Sequence, residues 1–207
     1  MINTKGESAS YLVPVLSALG EAEPIRIADL LGDYPDELRQ YRQYVRALLV
    51  ETSLQHNIVA HAHDLMIREL SASDLGRTDW DAGPLVAMTK KTHISHQLHI
   101  DQIIAVIGLY VPKPASTLTR CWMGPGSFDV DLPRYLLSTR GLYSLNCLSA
   151  FRTPVGLLVS AVMFHPSETM TVMIESGVGA RDEQLGLLGF ICEPIGVSIS
   201  RREHFPV

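Results

Sequence analysis

An α+β fold is what this sequence predicts: a helical N-terminal half followed by a mainly antiparallel sheet with short helices. Three observations carry the prediction. Apolar residues recur at helical spacing through roughly the first seventy positions. A polar stretch with two glycines and a proline, "SASDLGRTDWDAGP", then interrupts the chain. Beyond it, short β-branched and aromatic runs alternate with turn residues. The polar stretch is the candidate boundary. It separates a helical region, residues 1–72, with helix-turn-helix-like proportions, from an α+β portion, residues 85–207, with an antiparallel sheet. The two can pack as one domain.

The elements follow in order. Residues 1–8 are polar and expected to fray. In "SYLVPVLSALG", Leu12, Val15, Leu16 and Leu19 share a helical face, and Gly20 can close the helix. "IRIADLLGD" makes a second short helix. "YPDELRQYRQYVRALLVETSLQ" opens with Pro35 and two acids, which suits a helix start. "SLQHNIVAHAHDLMIREL" continues as helix, directly or after a break near Thr52–Ser53. A further helix is expected from about Thr92 to Leu109, on the recurrence of Ile100, Ile103, Ile104 and Ile107, although the β-branched isoleucines also suit a strand. "STLTRCWM", "LYSLNCLSAF", "GLLVSAVMF" and "ETMTVMIES" read as strands, "LPRYLLS" and "DEQLGLLGF" as short helices, and "PIGVSISRR" as a last strand.

Bulk properties narrow the function classes. The 207 residues carry a net charge of -5, which disfavours a protein that coats nucleic acid through clustered lysine and arginine. Charged residues make up 19%, below the roughly 25% usual for soluble domains, so self-association or a protein partner is expected to cover part of the surface. The longest apolar run is too short to span a bilayer, and "MINTKGESAS" has no apolar signal core. Cys121, Cys147 and Cys192 are widely spaced and form no CxxC pair. Reduced, buried thiols and a cytoplasmic location are the expectation.

Histidines pose the main chemical question. "KTHISHQLHID" carries His93, His96 and His99 at i, i+3 and i+6, and "QHNIVAHAHD" carries three more. On a helix, His96 falls in the centre of the isoleucine stripe, as a core imidazole bonded to a backbone carbonyl. His93 and His99 flank it, and the three are the metal-ligand candidates, completed from elsewhere by His165, Cys121, Glu168 or Asp101. Within the first group, His56 and His63 lie too far apart along a helix to share an ion, and His61 and His63 point to opposite sides. Catalytic candidates are His96, His165 and Cys121, as a titrating imidazole or a Cys–His pair.

Other constellations are weaker. Asp79 and Asp81 flank Trp80 as a possible carboxylate pair, against their reading as turn residues. The glycine segments Gly124–Ser127 and Ser176–Glu183 read as turns rather than anion nests. Arg120, Arg140, Trp122 and Tyr143 are candidates for holding a small organic ligand among the aromatic residues of the second half. Arg39, Arg42 and Arg46 form a helical stripe that would serve nucleic-acid contact, although acids outnumber bases over residues 1–70. The favoured function is a binding or interaction protein, possible regulatory roles included, for a protein partner or small organic ligand. An enzyme with a histidine-centred, metal-dependent site and a nucleic-acid-binding regulator are the alternatives.

Overall fold

Strands, not helices, dominate the described residues. The computed structural model describes residues 9–14, 36–111, 116–126, 142–145, 155–179 and 181–197. Among them are one long helix, α1 (Asp36–Gln55), and eleven strands. The strands are β1 (Ala9–Pro14), β2 (Leu65–Glu69), β3 (Asp81–Leu85), β4 (Lys90–Gln97), β5 (Ile103–Tyr110) and β6 (Leu118–Pro125). They continue with β7 (Leu142–Ser144), β8 (Val155–Phe164), β9 (Thr169–Ser176), β10 (Arg181–Gln184) and β11 (Gly186–Pro194). No helix among the described residues is long and apolar enough to cross a membrane.

Nine strands form one sheet in the order β2-β11-β5-β8-β1-β7-β6-β9-β4, and β10 pairs with β3 alone. β1 is the fold line. Its first half pairs parallel with β7 and its second half antiparallel with β8. The two wings then face each other. Ile94, Cys121, Met123, Val172 and Ile174 of one wing share an apolar cluster with Ile104, Val106, Leu158, Phe164 and Ile191 of the other. This is a β-sandwich core, built from alternate residues of each strand.

The outer face of the β5–β8–β11 wing is covered as well. Val45 and Leu49 of α1 pack on Ile103, Ala105, Ile107, Leu188 and Phe190. β5 is therefore buried along its whole length, on both faces. On the other wing, Trp122 and Met173 are register partners on the side of β6 and β9 away from the sandwich core, and both are buried.

These observations correct the helical N-terminal half. Residues 9–14 are strand, and the rest of the helix expected there lies outside the described residues, as does the one in "IRIADLLGD". α1 begins where its acids predict but stops at Gln55. Asn57 takes a left-handed conformation (φ 54°), and the Ile58 N–H donates back to the Ser53 carbonyl at 3.0 Å. That is a Schellman-type stop, with Ile58 tucked against the sheet. The later apolar recurrence at Leu65 and Ile67 belongs to β2.

The helix expected over 92–109 is two strands, β4 and β5, and "DEQLGLLGF" contributes to β10 and β11. "IIAVIGLY" and "GLLGFIC" have no period-two alternation because both of their faces are buried, and such runs mimic a buried helix. The last strand ends at Pro194, followed by helical residues at 195–197. "LPRYLLS" lies outside the described residues. The polar stretch does not split the sheet, since β2 on one side of it pairs with β11 on the other.

A histidine-bearing end as candidate functional site

Four chain segments meet at one end of the sandwich: the exit of α1, the β4–β5 turn, the β8–β9 turn, and the end of β11 beside the start of β2. The turns are braced against one another. The Glu168 carboxylate accepts the His165 N–H at 2.8 Å, and the Glu168 N–H returns to the His165 carbonyl at 3.1 Å. The Leu98 N–H donates to the Glu168 carbonyl at 2.9 Å, joining the β4–β5 turn to this one. His56, just beyond α1, reaches the same turn: its Nε2 lies 3.2 Å from Nδ1 of His165.

Below the turns lies a polar relay that runs from buried Glu193 and Gln102 to half-buried Arg68 and Asp74. The Gln102 side-chain oxygen accepts the His99 N–H at 3.0 Å, and its amide donates to Glu193 at 3.2 Å. The other Glu193 oxygen accepts from Arg68 at 3.1 Å, and Arg68 grips Asp74 with both terminal nitrogens, at 2.7 and 2.5 Å. Asp74 closes the relay on Ser71, accepting its N–H and hydroxyl as part of a capping box. Burial opposes charge on Arg68, but the bonds to Asp74 and Glu193 outweigh it and raise the guanidinium further. Burial likewise opposes ionisation of Asp74, yet Arg68 and Ser71 hold it below the usual carboxylate range.

The three histidines of "KTHISHQLHID" separate on this framework. His93, at the register irregularity of β4, turns inward; its Nε2–H donates to the Leu185 carbonyl at 2.7 Å. The carbonyl-bonded core imidazole is thus His93, not His96. His96 is half-buried, and burial lowers it, partly offset by the nearby Asp74 charge. His99 is 60% exposed, and its Nδ1 donates to Asp101 at 2.7 Å, which leaves Nε2 free to face outward. In the earlier group, His61 and His63 do not diverge as on a helix. Their rings stack at 5.3 Å with planes 7° apart.

His93 makes one pH prediction. Burial, with Arg77 and Lys91 nearby, pushes its pKa down to about 4 against the Leu185 bond. Between pH 6.5 and 4 the unfolded chain therefore binds a proton that the folded chain excludes. Stability falls as pH drops through that window, by at most about 3 kcal/mol. Asp74 acts lower: its contribution is present above about pH 3.8 and is lost as pH falls further. Urea midpoints at pH 7 and 4.5 should differ in the wild type and differ clearly less in His93→Gln, where the half-buried His96 supplies the remainder. An unchanged acid sensitivity in that variant would refute the assignment.

The remaining candidates are dispersed. Cys121 sits inside the sandwich opposite Ile174 and Tyr143, and burial pushes its thiol up. Cys192 lies under α1, 3.3 Å from the Ser53 hydroxyl, and burial raises it too. Thiolate chemistry is disfavoured at both. Cys147 and Arg140 lie outside the described residues. Tyr143 is a core residue, whereas Arg120 and Trp122 are on the other face of β6. The indole N–H of Trp122 meets no acceptor among the described residues. Arg42 packs its guanidinium 5.5 Å over the Phe190 ring, Arg46 is exposed, and the Arg39 side chain lies outside the described residues.

Asp79 and Asp81 each accept a nearby backbone N–H, at 2.9 and 3.2 Å, as turn residues do. In the second glycine segment, Glu183 is buried and accepts from Ser116 and Thr117, which turns its charge away from any anion. Arg68, Gln102 and Glu193 escaped the sequence reading. A signal was present for one of them: Glu193 is a lone charge in the apolar run "GFICEPIGV", and a buried charge requires a partner. Among the described residues, no group of three or more His, Cys, Asp or Glu converges on one point. No protein-family model matches the chain, and no curated protein matches it at a significant level.

Proposed function

We propose that this is a binding protein whose ligand surface is the histidine-bearing end. The observation that carries the reading is the bracing of exposed His56 and His99 and half-buried His165 by turns rooted in the part-buried Glu193–Arg68–Asp74 relay. Binding favours polar groups held in place before the ligand arrives, because little ordering then remains to be done. Outward imidazole nitrogens suit a small polar ligand or a partner's acidic side chain. A panel of phosphate, citrate, glutamate and a short acidic peptide tests this by imidazole NMR. At least one probe should move the His56, His99 and His165 resonances at sub-millimolar concentration and leave buried His93 in place. Probes that move none of the three would remove the reading.

The His99–Asp101 pair favours a second reading, an enzyme that uses His99 as a general base. A carboxylate on Nδ1 fixes the tautomer and leaves Nε2 as the acceptor, as that role requires.

A further inference from the structure

We infer that His56 and His165 together form a binding site for one divalent transition-metal ion of the zinc, nickel or copper class. The inference rests on the histidine-bearing end being the ligand surface and names a specific ion there. The two imidazoles come from residues 109 positions apart in the chain. Their facing nitrogens are 3.2 Å apart, with ring centroids at 5.1 Å and planes tilted by 45°. An ion at about 2.0–2.1 Å from each nitrogen, with a tetrahedral angle between them, sets those nitrogens roughly 3.3 Å apart. The pair therefore already stands at chelating separation.

The main chain beneath both rings is held: the His56 backbone N–H donates to the Thr52 carbonyl at 3.0 Å, at the α1 stop, and the His165 backbone N–H to the Glu168 carboxylate. Binding then asks only for turns of the two side chains, which swing their lone pairs from each other toward the ion. Without metal, one imidazole donates its N–H to the other. When the ion enters, that ring moves its proton to its remaining nitrogen, and two lone pairs face the metal. No net proton is released from a neutral pair, and no oxidant or reductant is involved. Further positions on the ion go to water or to an oxygen of a bound ligand.

Other histidines are less suited. His93 uses Nε2 on the Leu185 carbonyl, and His99 uses Nδ1 on Asp101. His61 and His63 lie face to face, so their in-plane lone pairs do not converge on one ion. His61 and His63 are both exposed, so they serve as controls for adventitious binding.

Calorimetric titration of the untagged full chain with ZnCl2, repeated with NiCl2, tests the site. One ion per chain should bind at sub-millimolar concentration, and the thermal midpoint should rise with metal. His56→Ala and His165→Ala should each weaken binding by about tenfold or more. His61→Ala and His63→Ala should leave it unchanged. His56 is exposed and His165 half-buried, so the midpoint of each variant without metal serves as the folding control, and His165→Gln stands in for the alanine variant where that midpoint falls. Absence of binding, or binding that survives the His56→Ala/His165→Ala double variant, overturns the inference. The metal-free NMR panel reports on the ligand surface separately, so failure of one is distinguishable from failure of the other.

Discussion

Glu193→Ala should lower the unfolding free energy by about 3–5 kcal/mol, the range for breaking a buried ion pair. Glu193 is fully buried on β11, and its two oxygens accept from Arg68 and Gln102. Removing the carboxylate leaves an Arg68 charge, largely out of water, with Asp74 as its remaining partner, and leaves the Gln102 amide without its acceptor. Urea unfolding at pH 7 reads the loss. A chemical control separates pairing from packing. In Arg68→Met/Asp74→Asn/Glu193→Leu all three charges disappear together, with uncharged groups of similar volume in their place. That triple variant should recover much of the stability. A Glu193→Ala protein as stable as the wild type, or a triple variant worse than Glu193→Ala, would contradict the relay. If the relay does brace the turns above it, Glu193→Ala should also broaden the His99 imidazole resonance.

Gly186→Ala should destabilise by more than about 3 kcal/mol, at or beyond the upper end for overpacking. Gly186 opens β11 opposite Tyr110 of β5. A Cβ there would stand 1.8 Å from Tyr110 Cε1 and 2.2 Å from Cζ. The ring cannot simply step aside, because it is packed in the cluster beneath α1. Burial also pushes the Tyr110 hydroxyl up to about 12. The decisive comparison is the same substitution in a Tyr110→Leu background. There it should cost less than about 1 kcal/mol, since the obstructing ring is gone. An equal loss in both backgrounds would place the strain in the backbone of β11 instead.

The histidines show where local reading reaches its limit. The i, i+3, i+6 spacing of His93, His96 and His99 matches a helix face, and the isoleucines that follow extend the match. In the sandwich, the register of β4 shifts between Thr92 and Ile94, so the strand's alternation restarts at His93. This bulge turns His93 inward and leaves His99 in the turn beyond. A bulge has no reliable sequence mark, because it answers to the partner strand β9. His56 and His165 carry no mutual signal at all, since their meeting depends on how α1 packs against the wing that contains β8. Glu193 differs. It stands alone among apolar residues, so its need for a partner was legible, although the partner's identity was not; Arg68, directly beside Glu69, carries no such mark.

Taken alone, the sequence determined the start of α1, the half-alternating strands β6, β8 and β9, the turn character of the Asp79–Asp81 segment, and the absence of a paired-cysteine motif. Those features depend on neighbours a few positions away. Tertiary structure decided that β5 and β11 are strands, that His93 rather than His96 is the inward imidazole, and that three distant loops share one end. Hydrophobic periodicity records which faces of an element meet water. A strand covered by the opposite wing on one side and by α1 on the other meets water on neither, and so it has no period to read.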